Sequence, residues 1–190
     1  MTCIVGLVDG GNGNIWMGGD SAGVGGFDLR VRADEKVFIK DKFIFGFTSS
    51  FRMGQILRYK LVIPPYYPEV DLYQYMVDNF IDAVRRCFKD SGYMKTKDTI
   101  EEGGTFLVGY RGTLFEIEDD FQVAVNVVPY NACGCGRDYA LGSLATSEYM
   151  TASVPRMEEA AQGRVRKALE VAEQFSAGVR GPFHILKLEG

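Results

Sequence analysis

The second residue of the chain is a threonine. Initiator methionine is normally removed when the residue behind it is small, and a chain that has lost Met1 presents a hydroxyl and a free α-amine on Thr2. An α-amine has an ordinary pKa of about 7.7–8.0, so near neutrality a substantial part of it can accept a proton. A threonine hydroxyl becomes a nucleophile when a base takes its proton, and its own amine can be that base. Such chemistry uses no imidazole, and this chain has almost none: His184 is the single histidine among 190 residues. Multi-histidine zinc sites within the chain are thereby excluded, and a Ser-His-Asp or Cys-His triad would have to run through that one ring. His184 stands between Phe183 and Ile185 in an alternating segment, which reads as a core or edge strand histidine. A threonine in second place is ordinary by itself; its weight comes from what surrounds it.

The four cysteines, Cys3, Cys87, Cys133 and Cys135, do not make a disulfide framework in a chain of this length. Cys133-Gly134-Cys135 is one residue short of the usual zinc-knuckle spacing. Small buried residues in a reducing cytoplasm are expected, with a metal-binding module built on the four thiols as a lesser alternative. Cys3 follows Thr2 directly, and on a strand it faces the opposite way. Twenty-one Lys and Arg oppose 25 Asp and Glu, a formal charge of −4. That balance lacks the basic excess of a nucleic-acid binder, and there is no polybasic membrane anchor. No apolar run is long enough to span a bilayer. The start of the chain has no basic region before its apolar residues, and Asp9 interrupts them, so it reads as a strand and not as a signal peptide. A cytoplasmic protein is expected, with no partner nucleic acid or membrane and no cofactor or metal.

The elements that must position Thr2 follow from pattern. Residues 3–9 and 15–20 are apolar runs around a Gly/Asn/Asp cluster, which predicts a β-hairpin. The Gly-rich stretch 22–26 reads as mobile. A second hairpin is expected over 36–47, turning at Lys40-Asp41. A helix is expected from about Ser50 to Leu61, behind a serine pair suited to capping and ahead of Pro64, Pro65 and Pro68. The clearest helix is 71–90, with Leu72, Met76, Phe80, Ala83, Val84 and Cys87 on one face. Residues 93–103 are polar and read as a surface loop. Strands are expected at 105–110, 113–118, 121–127 and 132–135, then helices over about 138–149 and 154–175, with Pro155 in the first turn of the latter. A strand over 183–188 ends the chain. Runs of strands and helices segregated in this way favour an α+β architecture with sheet packed on sheet and helices outside. The length suits one compact domain, residues 1–190.

Thr2-Cys3-Ile4-Val5-Gly6 opening a strand, Gly19-Asp20-Ser21-Ala22 at the end of the next, and Lys36-Val37 beyond it resemble the proteasome β-subunit family, in particular the bacterial HslV-type peptidases and their relatives. Asp20 lies 18 residues after Thr2, and Lys36 lies 16 after Asp20. Phe45-Gly46-Phe47-Thr48-Ser49-Ser50 resembles that family's Gly-containing segment before its first helix, and residues 132–136 resemble its later Gly-Ser-Gly turn. The order of strands and helices agrees over nearly the whole chain.

The resemblance implies a four-layer αββα sandwich of the N-terminal nucleophile (Ntn) hydrolases. Thr2 Oγ would attack a peptide carbonyl, and its amine would accept the proton. Lys36 would be a buried cation beside Thr2, a placement that favours the ionised hydroxyl and lowers the amine pKa. Asp20 would supply the opposite charge, and amides near Ser49 and Ser50 would stabilise the oxyanion. Two departures stand out. Cys135 replaces the family's serine, and a thiol is a weaker partner for the amine. The family's Asp-x-x-Ser near the C-terminus corresponds by spacing to Glu173 and Ser176, whereas gapless matching of the helix puts Gln174 at the acidic place. Pocket walls would lie near Gly23, Asp34 and Phe38. The implied function is threonine-type hydrolysis of peptides and unfolded polypeptides inside homo-oligomeric rings, fed by an ATP-dependent unfoldase. The rival readings are an Ntn amidase acting on a small amide and a catalytically inactive scaffold subunit of the same fold.

Overall fold

A computed structural model describes residues 1–97, 99–151 and 158–190 of the chain. β1 (Cys3–Val8) and β2 (Ile15–Gly19) form the first hairpin, and β3 (Ala22–Gly25) pairs with β4 (Asp28–Val31). β5 (Val37–Lys40) turns into β6 (Phe43–Phe47) through Asp41 and Lys42, at φ 49° and 68°. Two successive left-handed residues are what a two-residue hairpin turn requires. α1 (Phe51–Tyr59) begins at Ser50, whose side chain accepts the Arg52 amide; this satisfies one donor that the first helical turn cannot bond itself. α2 (Leu72–Tyr75) runs through a π-helical turn, Met76–Phe80, into α3 (Ile81–Asp90). The hairpin of β7 (Lys95–Lys97) and β8 (Ile100–Glu102) leads to β9 (Phe106–Tyr110), β10 (Thr113–Ile117), β11 (Val123–Val125) and β12 (Tyr130–Gly134). α4 (Arg137–Thr151), α5 (Glu158–Phe175) and β13 (His184–Leu188) follow. The expected start of the last helix at Val154 and Pro155 lies outside the described residues.

Two antiparallel sheets carry the chain, in the orders β12-β1-β2-β13 and β11-β10-β9-β6-β5. β1 shows why its residues are almost all apolar. Cys3, Val5 and Leu7 pack with Val165, Ala168, Leu169 and Ala172 of α5, whereas Ile4 packs with Val37, Ile44 and Leu107 of the other sheet. A strand buried on both faces loses the usual apolar/polar alternation. Gly18 of β2 makes room for α5: a Cβ there would come within 2.7 Å of Val165 and 2.9 Å of Leu169. The far face of the second sheet is covered by α1, α2 and α3 through an aromatic-rich cluster that includes Phe43, Phe45, Phe80, Phe88, Phe106 and Phe115.

Three local readings change. Residues 22–25 are not a mobile stretch but strand β3, paired with β4 from Ala22↔Val31 to Gly25↔Asp28. Glycines carry no strand pattern, and main-chain pairing supplies what side chains do not. The polar segment expected as a loop contains the β7–β8 hairpin, with Lys95 opposite Glu102. Of the face expected for the long helix, Met76, Phe80 and Val84 are buried, while Leu72, Ala83 and Cys87 are only partly covered and Tyr75, Ile81 and Phe88 are buried beside them; the π-turn at Met76–Phe80 interrupts the helical period.

Candidate active site

Thr2 immediately precedes β1, Asp20 follows β2, and Lys36 precedes β5. The first two are brought together by hairpin register, since Ile4 pairs with Gly19 and the Asp20 amide donates to the Cys3 carbonyl at 3.3 Å. Lys36 arrives from the other sheet. Its carbonyl accepts the Phe47 amide at 3.0 Å, which also fixes where residues 48–50 leave β6. One rim of the packed sheets therefore gathers three strand ends that are distant in sequence.

Lys36 Nζ donates to Thr2 Oγ1 at 2.9 Å and to Asp20 Oδ1 at 2.8 Å. The Thr2 hydroxyl in turn donates to the Met1 carbonyl. Asp20 is fully buried, Lys36 is 1% exposed and Thr2 is 5% exposed. Two charges so deep need each other and further bonds. Asp20 has them: Oδ1 also accepts the Cys3 amide at 3.0 Å, and Oδ2 accepts the amides of Ala22 at 2.9 Å and Arg180 at 3.3 Å. Burial pushes the Lys36 pKa down from the ordinary lysine range, and Asp20 opposes that shift. A cation 2.9 Å from a hydroxyl oxygen stabilises the negative charge that develops when the hydroxyl loses its proton.

The opposite flank of Thr2 is made of sulfur and hydroxyl. The Thr2 amide donates to Cys135 Sγ at 3.2 Å, and Ser176 Oγ donates to the same sulfur at 3.4 Å. The Gly136 amide reaches the Thr2 carbonyl at 3.4 Å. Gly134, at φ 93°, turns the chain out of β12 so close to the Thr2 carbonyl that a side chain would collide with it.

Glu173 does not join this cluster. Its carboxylate accepts the Gly181 amide at 2.9 Å and stands 3.8 Å from the Arg180 guanidinium. Gln174 is exposed. Glu173 thus braces the segment whose Arg180 amide reaches Asp20. That amide had no signal in the sequence, because a backbone donor has no residue type.

Thr2 opens on a cavity of about 70 Å³ lined by Met1, Lys36, Thr48, Ser49, Ser50 and neighbours. The Ser50 amide is taken by the Thr48 carbonyl at 2.5 Å, while the Ser49 amide, on a residue at φ 55°, makes no hydrogen bond among the described residues. Ser49 Oγ accepts the Thr105 amide at 3.1 Å and holds this turn in place. Of the residues named as pocket walls, Gly23 lines a neighbouring cavity and Asp34 pairs with Arg32. Phe38 is corrected: it is buried in the aromatic core, stacked on Phe45 at 5.0 Å.

His184 sits on edge strand β13, with Nδ1 3.3 Å from Glu35 Oε1. Cys3 and Cys133 are buried, and burial pushes both thiols up. Among the described residues no three His, Cys, Asp or Glu side chains are grouped as a metal site would need. No helix among them is long and apolar enough to cross a membrane.

No protein-family model and no curated protein matches the chain. Solved structures do. BPH of Thiobacillus denitrificans in complex with epoxomicin superposes with a TM-score of 0.74 at 17% identity, covering 99% of this chain and 98% of that one. BPH in a second structure gives 0.72 at 18%, covering 100% and 98%. Eukaryotic HslV from Trypanosoma brucei gives 0.66 at 17%, over 100% of both chains. The mixed arrangement of sheets and helices is therefore the HslV fold, end to end, at identities that speak for the fold alone.

Proposed function

We propose that residues 1–190 form a single four-layer αββα Ntn-hydrolase domain and that the chain is a threonine peptidase. The observation that carries this reading is the buried Thr2–Lys36–Asp20 chain, with Lys36 Nζ at 2.9 Å from Thr2 Oγ1 and 2.8 Å from Asp20 Oδ1. Removal of Met1 turns the Thr2 amide into an amine and leaves it beside Cys135. The amine, directly or through a water, takes the hydroxyl proton as Thr2 Oγ attacks the carbonyl carbon of a peptide, and later returns it to the leaving amine. Lys36 stabilises the charge on the attacking oxygen, Asp20 holds Lys36, and the Ser49 amide stabilises the oxyanion that forms. Cys135 and Ser176 orient the amine. The substrates are unfolded polypeptides, reached inside rings of identical subunits in the cytoplasm and delivered by an ATP-dependent unfoldase; the likeness to HslV supports this part of the reading.

The test joins intact mass, native mass and turnover. The expected protein lacks Met1, has the mass of many subunits and cleaves fluorogenic peptides, and Thr2→Ala loses cleavage by a factor of about 10³ or more while keeping its fold. A fully folded chain that keeps Met1 inside cells is the inactive scaffold instead. Turnover of small amides by a monomer is the amidase.

A further inference from the structure

Glu116 is a buried carboxylate that the proposed chemistry does not use. It stands on β10 two residues from Leu114, so both side chains leave the strand on the same face. That face is the layer between the sheets, where Leu114 shares an apolar cluster with Ile4, Ile15 and Cys133. A hydrocarbon side chain would serve there. A carboxylate at 3% exposure costs free energy unless its oxygens are bonded.

The two oxygens bond two places on one segment that belongs to the other sheet and the helix behind it. Oε2 accepts Asn131 Nδ2 at 2.9 Å, and Oε1 lies 3.6 Å from Arg137 Nη1. Asn131 lies in β12, and its own Oδ1 accepts the Ala132 amide at 2.8 Å, which fixes the orientation of its side chain. Arg137 opens α4. Between these two residues stands the turn that serves Thr2. Cys135 Sγ accepts the Thr2 amide at 3.2 Å, and the Gly136 amide reaches the Thr2 carbonyl at 3.4 Å. One of those bonds is to sulfur and the other is long, so both are weak anchors. Glu116 ties the segment down at both ends from the opposite sheet.

Resting on the peptidase reading, we infer that Glu116 is a positioning residue, which acts through Asn131 and Arg137 to hold the 134–136 turn, and with it Cys135, against the nitrogen of Thr2.

Glu116→Gln and Arg137→Gln in the processed protein test this. The first keeps an acceptor for Asn131 and loses the ion pair; the second loses the same pair with the opposite change in charge. Each is expected to lower kcat for a fluorogenic peptide about tenfold with KM held within about twofold, and to speed hydrogen exchange over 131–137 about tenfold. The double variant is expected to be no worse than either single one, because both remove one interaction. Arg137→Lys keeps the charge and is expected to stay within about twofold of the wild type. Val84→Ala, in the core beneath α3, is the control for general destabilisation and is expected to show neither effect. If Glu116→Gln fails to fold, Arg137→Gln, at a half-exposed side chain, carries the test alone. Unchanged kcat and exchange, responses of opposite sign in the two glutamine variants, or the same response in Val84→Ala would overturn the assignment. Faster exchange over 131–137 in a protein whose wild type cleaves no peptide leaves the positioning role standing and removes the peptidase.

Discussion

On one flank of Thr2, a lysine and an aspartate at 1% and 0% exposure meet at 2.8 Å, and the aspartate receives three backbone amides besides. On the other flank, an exposed thiol takes the Thr2 amide at 3.2 Å and the Ser176 hydroxyl at 3.4 Å. The first flank is over-determined, since every oxygen of Asp20 is used and no water is needed to satisfy it. The second is open and built from weak acceptors. The cluster holds charge rigidly on one side of Thr2 and leaves the other side open and weakly bonded.

Breaking the buried flank is expected to have the largest effect. Lys36→Met or Asp20→Ala leaves one charge without its partner and is expected to cost about 3–5 kcal/mol in chemical denaturation, along with all peptide cleavage. The double variant Lys36→Met with Asp20→Asn is expected to regain only part of the stability, since the Asn amide nitrogen cannot accept the backbone amides that an Asp20 oxygen takes, and none of the activity. If the single variants melt like the wild type, the contrast between the flanks fails.

Next in size is the response to alkali. Burial sets the Lys36 pKa below the ordinary lysine range. Between that lowered value and the ordinary one, folded Lys36 has lost its proton while the unfolded chain retains it. The unfolded state then binds more protons, so this group's contribution to stability rises with pH across the window. Activity is expected to fall across the same window, because the departing proton is the one that supports Thr2 Oγ1. Thermal melts and kcat/KM measured over that range check the opposed trends; parallel trends would remove Lys36 from the role.

The open flank is expected to respond more gently. Cys135→Ser is expected to change stability by no more than about 0.5 kcal/mol, and to raise cleavage several-fold because a hydroxyl is the stronger partner for the amine. Iodoacetamide is expected to label Cys135 ahead of buried Cys3 and Cys133, whose thiols are pushed up, and to stop cleavage in the wild type but not in Cys135→Ser. The smallest effect belongs to Glu173→Gln, which keeps an acceptor for the Gly181 amide and loses only a half-exposed ion pair with Arg180. A change of about twofold or less in kcat/KM is expected.

Much of this site was legible in residue order. Thr2 was legible from its place behind Met1; Asp20, Lys36, Cys135 and Ser176 were legible only through the ordered resemblance to the proteasome β-subunit family, at places where strand and helix patterns end. Ser49 and Ser50 were legible as a neighbourhood, but that the Ser50 amide is bonded and the Ser49 amide is not, among the described residues, depended on a turn at φ 55°. The β3–β4 hairpin was hidden because Ala-Gly-Val-Gly carries no alternating pattern. Glu173 and Gln174 differ by about 100° of helical rotation; Glu173 takes the Gly181 amide, Gln174 is exposed, and neither bonds the cluster around Thr2.

By itself, then, the sequence determined the chemistry available: one histidine, a hydroxyl on the second residue, one lysine and one aspartate at strand ends, and apolar periods that demand two packed sheets. Those follow from residue type and short-range pattern. The tertiary structure alone decided the distances. Thr2 and Lys36 are 34 residues apart and enter from different sheets, and the Arg180 amide comes to Asp20 from 160 residues away. Contacts of that separation are fixed by how the sheets pack, and the bond from Arg180 is made by a backbone group that every residue but proline possesses, so no spacing in the chain could announce it.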